Sequence, residues 1–488
     1  MYYGNSGAAI LHMISSVKMK RRDFFKNTSL TALGAAFFSP AELFAFNKTR
    51  ESEGTGKTAK NIIFLVSDGM SMGTLTLANL MLQRKEGRKS KWIEMYEQSR
   101  LSRALMDTAS ANALVTDSAA ASSSWGGGVR VNNGSLNIGP QGQHHKPILQ
   151  KFKAAGKSVG CVTTVPITHA TPAGFSVNSN KRSAQEDIAL QYLSLRFDVM
   201  LGGGLEFFSE EKRKDKKNLL KTYERGGFSV LEKRSQVMDS SRWGNRPVIG
   251  IFHEDGLPYS LDREHDQTLV AAIPTLAEMT KEAINHLNKN KKGFVMQVEA
   301  GKVDWAAHAN DAAALIFDQI AFDDAVKAAI DFAEKDGETL VIITTDHGNA
   351  NPGLFGPDTN FDKLQHFKQT NDWFLRGIDR TFSASQIVER LEGAQGIVIT
   401  KEEAYSLLKH YEKTDSAGLY NPYKLPFKEL ADIQFKHTSI GWGSMNHSAD
   451  HVELAMFGPG SERLKPFVKN TDLHNFMLEA AEVDTKTA

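Results

Sequence analysis

Five strand-length apolar runs alternate with amphipathic helical stretches in this chain, and three of them lead straight into polar residues that can do chemistry. The runs are 61–67, 158–165, 198–201, 293–298 and 339–345; helical patterns occupy 184–197, 268–288 and 312–335. Alternation of this kind predicts an α/β fold with a mostly parallel central sheet. In such sheets ligands gather beyond the carboxyl ends of the strands. Asp68, Glu299 and the pair Asp346-His347 each follow or close a run, so one shared site is expected there.

The residue types narrow the chemistry. Asp304 and His308 stand four apart, on one face of a helix just after Glu299. Strand-end carboxylates with a helical Asp/His pair suit divalent cations. Asp68 has lone pairs on both oxygens and can bridge two ions. Asp346 and His347, followed by glycine, add two more candidate ligands, and His447 a third. Ser118 opens an Ala-rich helix after Thr116-Asp117, where free N–H groups favour an anion; it is either a cap or a nucleophile. His169 and Thr171 follow the second run, and an extended segment, favoured for Thr171 by Pro172, would place them on one side. Arg182 could fork onto a phosphoryl group.

The remainder of the chain excludes other classes. The 488 residues carry a formal net charge of +1, which leaves no nucleic-acid footprint. Residues 1–45 join a basic stretch, Lys20-Arg21-Arg22, to an apolar one and small residues. They are expected to be a cleaved twin-arginine-type signal peptide, placing the product in the periplasm or outside the cell. Its removal takes away five basic and two acidic side chains, so the rest sits near −2. No other segment reaches the roughly 20 apolar residues of a membrane span, and a soluble product is expected. Cys161, the one cysteine, is expected to be a buried strand residue. The Gly54-Thr55-Gly56-Lys57-Thr58 segment ends like a phosphate-binding loop, but Glu51 stands where its first glycine belongs and a strand follows it. Residues 46–488 are expected to form one catalytic domain with insertions at about 205–265 and 351–440. The charged run 210–217 is expected to be a solvated helix face, and one helical piece is expected near 401–411.

Taken in order, these segments resemble the alkaline phosphatase family. The resemblance rests on Val-Ser-Asp-Gly-Met at 66–70, Val-Thr-Asp-Ser-Ala-Ala at 115–120, His-Ala-Thr-Pro-Ala at 169–173 and Leu-Gly-Gly-Gly at 201–204. It continues through Val-Glu at 298–299, Val-Asp-Trp-Ala-Ala-His-Ala-Asn-Asp at 303–311, Thr-Thr-Asp-His-Gly at 344–348 and Asn-His-Ser at 446–448. It implies a three-layer sandwich, and a phosphomonoesterase acting through a phosphoserine at Ser118 on small-molecule phosphate monoesters. It implies two zinc ions, one on Asp304, His308 and His447 and one on Asp68, Asp346 and His347. It also implies a magnesium ion on Asp68, Thr171 and Glu299, with Arg182 clamping phosphate, and is compatible with a homodimer. His169 stands where some members have aspartate, and Trp305 where some have lysine and others histidine; both are expected just outside the ligand set. Two alternatives are a phosphodiesterase or sulfatase-like member of the same superfamily and a non-catalytic exported zinc- or phosphate-binding protein.

Overall fold

The computed structural model describes residues 58–379, 381–411 and 424–484. The segment 1–45, read as a signal peptide, lies outside them.

The five runs become strands: β1 (Asn61–Ser67), β3 (Ser158–Pro166), β4 (Val199–Gly203), β7 (Phe294–Ala300) and β8 (Thr339–Thr344). They belong to a ten-stranded sheet completed by β2 (Ser102–Asp107), β5 (Ser229–Leu231), β6 (Val248–Ile251), β13 (Val452–Phe457) and β14 (Phe467–Lys469). The order is β14-β2-β13-β8-β1-β7-β3-β4-β6-β5, and β13 runs antiparallel to both its neighbours. The fold class expected from the runs is the one observed.

Period-two alternation explains the continuous apolar runs. Ile62, Phe64 and Val66 of β1 enter one core, whereas Ile63 and Leu65 enter another on the opposite face. Helices cover both faces, so no strand residue at the centre meets water. The longest helix, Ala312–Asp336, matches its expected span and packs against that second core.

Several local expectations change. The stretch 268–288 is two helices, Gln267–Ala272 and Leu276–Leu287. Pro274 interrupts the ladder, and Thr275 with Glu278 forms a capping box that starts the second. The run 210–217 is turn, not helix; Arg213 is buried, held by the Glu186 and Phe207 carbonyls and by Asp215. Within 205–265, β5 and β6 extend the sheet edge, so part of that region is body and not excursion. The 351–440 region holds more helix than expected, including Asn371–Arg376, Ala384–Gln395 and Phe427–Thr438 besides Lys401–Leu408. These enclose a third core around Phe374, Leu391, Leu407 and Leu430. Cys161 is buried in β3, as expected. Among the described residues no helix is long and apolar enough to cross a membrane.

Candidate active site

The carboxyl ends of β1, β3, β7 and β8 meet at one point, and the sheet register decides which residues share it. Glu299 on β7 is level with Val66 on one neighbour and Thr163 on the other, while Val66 is level with Thr344. Asp68, Glu299 and Asp346 therefore leave adjacent strands at nearly the same height, and all three are fully buried. Gly69 permits this crowding: its φ is 68°, and a Cβ there would lie 2.4 Å from Asp304 Oδ1.

Ser118 is the first residue of the helix Ser118–Gly127, capped by Asp117 through Ala120 N–H. Its Oγ is 3.3 Å from His347 Nε2 and 3.5 Å from Asp68 Oδ1. The other Asp68 oxygen faces Thr171 Oγ1 at 3.5 Å. Thr171 does not sit on extended backbone as expected: the helix Ala170–Ser176 starts before it, and Pro172 falls in the first turn, where its missing N–H costs nothing. His347 Nε2 lies 3.1 Å from Asp346 Oδ2 and 3.6 Å from Asp68 Oδ1.

A second cluster lies alongside. His308 Nε2 and His447 Nε2 are 3.0 Å apart, and each is 3.4 Å from an Asp304 oxygen. The Nδ1 atoms lie 2.7 Å from the Met445 carbonyl and 2.9 Å from the Thr116 carbonyl. Carbonyls only accept, so both Nδ1 atoms carry hydrogen, and both Nε2 atoms are turned toward the same point. That is the outer-shell arrangement that orients imidazoles toward a cation. Asp304, His347 and His447 also converge within 4.8 Å of one another, as do Asp68, Asp346 and His347. His347, its ring stacked 3.6 Å from that of His447, joins the two clusters.

The third cluster is Asp68, His169 and Glu299, again within 4.8 Å. It brings His169, expected just outside the ligand set, within ligand reach. Glu299 Oε2 accepts a 2.5 Å bond from Thr163, while Oε1 has no hydrogen-bond partner. Arg182 spans the rim: Nη1 is 3.2 Å from Asp117 Oδ2, and Nη2 donates to His169 Nε2 at 3.1 Å. Trp305 meets His169 edge to face at 6.2 Å.

The electrostatics call for cations. Burial, then Asp346, Asp304 and Glu299, push Asp68 well above the usual carboxylate range. Burial likewise lifts Glu299 to about 7, against the opposing pull of the Thr163 and Thr171 hydroxyls. Burial alone would raise Asp304, but His308 and His447 hold it well below its ordinary value. Burial alone would lower His447, yet Asp304 outweighs it and carries the imidazole to about 9. Burial and Arg182 bring His169 down to about 3, so its ring is neutral. Four buried carboxylates, two imidazole Nε2 atoms 3.0 Å apart and the partnerless Glu299 Oε1 fit divalent ions.

Two residues with a part in this site escaped the sequence reading. Thr163 fixes Glu299, and Asn349 Nδ2 donates to Asp304 Oδ1 at 2.7 Å. Register with Glu299 identifies the first; nothing local marks the second.

Acid, imidazole and hydroxyl groups gathered in this way form a hydrolase-type site whose residues could hold divalent ions. The family model for alkaline phosphatase matches residues 59–483. The chain is 30% identical over 447 residues to alkaline phosphatase 3 of Bacillus subtilis, spanning 89% of this chain and 92% of that protein. It is 31% identical over 357 residues to the Escherichia coli alkaline phosphatase, spanning 65% and 75%. The crystal structure of Thermus thermophilus alkaline phosphatase superposes with a TM-score of 0.81 at 30% identity, covering 89% of this chain and 94% of that one. The chain belongs to the alkaline phosphatase family.

Proposed function

We propose that this enzyme hydrolyses phosphate monoesters through a phosphoserine at Ser118. The observation that carries the reading is the position of Ser118 Oγ, at a helix N-terminus between Asp68 and His347 and on the same rim as Arg182. Asp304, His308 and His447 would hold one zinc ion, and Asp68, Asp346 and His347 a second. Asp68, Thr171 and Glu299 would hold magnesium, with His169 close enough to add an imidazole. Bound there, the ions would neutralise phosphoryl charge and lower the pKa of hydroxyl groups.

The protein's own groups do the rest. Arg182, held in place by Asp117 and His169, presents its fork to two phosphoryl oxygens. The N–H groups at the start of the Ser118 helix face the same anion. Ser118 gives up its proton as Oγ bonds to phosphorus and the ester oxygen leaves, protonated, as the alcohol; water then bonds to phosphorus, the Oγ–P bond breaks and Ser118 Oγ takes a proton back. Asp117 serves twice, capping the Ser118 helix and anchoring Arg182, so clamp and nucleophile move as one unit.

Ser118→Ala tests the covalent step. It is expected to lose at least about 10³-fold in kcat while still binding inorganic phosphate, and acid-quenched wild type should yield phosphoserine on the Ser118 peptide. Full activity in that variant would exclude the mechanism. Parallel assays with the diester and sulfate analogues of p-nitrophenyl phosphate test the assignment to monoesters. The basic-apolar segment 1–45 supports export by the twin-arginine route; replacing Arg21 and Arg22 by lysine should leave precursor in the cytoplasmic fraction.

A further inference from the structure

Next to the phosphate side of the site lies a cavity of about 660 Å³ whose walls include Tyr259, Lys302, Trp305, Asp372, Trp373 and Arg376. Two distant parts of the chain build it. One is the helix Lys302–His308, which also carries Asp304. The other is the helix Asn371–Arg376 from the 351–440 region. The start of this second helix is tied to the body: Asp262 accepts from Thr370 N–H at 2.8 Å and from its hydroxyl at 2.7 Å, and Asp311 accepts from Asn371 N–H at 2.7 Å. The cavity wall is therefore positioned by the fold.

Lys302 is the unusual member. It is only 6% exposed. Its ammonium sits 3.7 Å from the centroid of the Tyr259 ring and 4.5 Å from that of Trp305. Among the described residues no carboxylate reaches ion-pair distance of it, and no side chain or carbonyl accepts a hydrogen bond from it. Of the acids whose charge reaches it, Asp372 is engaged by Arg376 and Asp318 by Ser260, and Asp255 stands on the cavity wall beyond ion-pair distance. Ring faces attract a cation, but they do not replace the three hydrogen bonds an ammonium makes in water. A buried cation left in this condition is costly unless an anion arrives to meet it.

The cavity shares a wall with the phosphate clamp. Trp305 lines it, and the Trp305 ring also touches His169, which accepts from Arg182. Trp305 thus stands between the phosphate clamp and the cavity. We propose that this cavity is a leaving-group subsite selecting monoesters whose alcohol carries a second anionic group. Lys302 is the counter-ion for that group, and the Tyr259 and Trp305 faces pack against the carbon frame between the two anions. This rests on the phosphomonoesterase reading above. Lys302 touches no reacting atom, so its effect falls on substrate choice.

The test uses the metal-loaded enzyme and matched substrates: 4-(2-carboxyethyl)phenyl phosphate, its carboxamide, and the 2-phosphonoethyl analogue. Wild type is expected to favour at least one anionic ester over the amide by about tenfold or more in kcat/KM, chiefly through KM. The preferred anion, carboxylate or phosphonate, identifies the group that Lys302 meets. In Lys302→Gln the ratio should fall to near unity. Equal rates for the three esters in wild type overturn the proposal, and so does an unchanged ratio, or an equal loss on all three, in the variant. Should Lys302→Gln not fold, product inhibition of the wild type decides: 3-(4-hydroxyphenyl)propanoate should inhibit more strongly than its amide. An enzyme that turns over none of the esters refutes the phosphatase reading instead, and calorimetric binding of the same two phenols then tests the subsite alone.

Discussion

At the residue scale, the site depends on neighbours that hold the acids in place. Asn349 donates to Asp304 from β9 (Gly348–Asn349), which pairs with β12 (His447–Ser448) and so links Asp304 to the strand that carries His447. Asn349→Ala should weaken metal retention about 10- to 100-fold, the usual cost of losing an outer-shell partner. Zinc content after dialysis against a graded chelator measures it. Gly69→Ala is expected to be worse, because the added Cβ meets Asp304 Oδ1 at 2.4 Å in a backbone conformation with φ of 68°. Loss of about 1–3 kcal/mol of stability, with reduced metal content, should appear in denaturant melts and metal analysis. Neither neighbour was legible in the sequence. Asp304 and His308 were, since an i, i+4 pair is a local pattern, whereas the bond from Asn349 exists only because two short strands pair.

At the element scale, the helix Asn371–Arg376 depends on buried acids at its start. Burial lifts Asp311 to about 7 and Asp262 to about 6, although backbone N–H bonds oppose it in both. A raised acid binds more protons folded than unfolded, so stability is fully present below the unfolded pKa, near 4, and is lost as pH rises toward 7. Asp311→Asn keeps a capping side chain and removes the charge. The variant's melting temperature should change less between pH 4 and 7 than that of the wild type, and an unchanged slope would remove Asp311 as its source. The long helix Ala312–Asp336 was readable because its apolar spacing persists over many turns. The break at Pro274 and the turn at 210–217 were misread because charge and periodicity do not report where a chain must bend. Arg213 lies buried within such a turn, where nearby carbonyls replace its water.

At the scale of the whole molecule, the centre joins acids from several strands, and burial with neighbouring acids disfavours the charged forms of Asp68 and Glu299, which a bound cation would offset. Chelation is therefore expected to lower the melting temperature by several degrees, in proportion to how tightly the native state holds the ions. Zinc together with magnesium should restore both stability and turnover. A melting temperature indifferent to chelator would mean that the carboxylate cluster is stable without metal.

The sequence alone determined the alternation of runs and helices, and with it the sheet and the strand ends where acids and hydroxyls would collect. It determined the chemical types as well: carboxylates, imidazoles, one serine at a helix start. The tertiary structure decided which of them meet. His308 and His447 face each other across 139 positions of chain, and Lys302 meets the Tyr259 ring because two separate segments fold against each other. Patterns along the chain are local, whereas convergence and burial depend on packing between segments far apart in sequence.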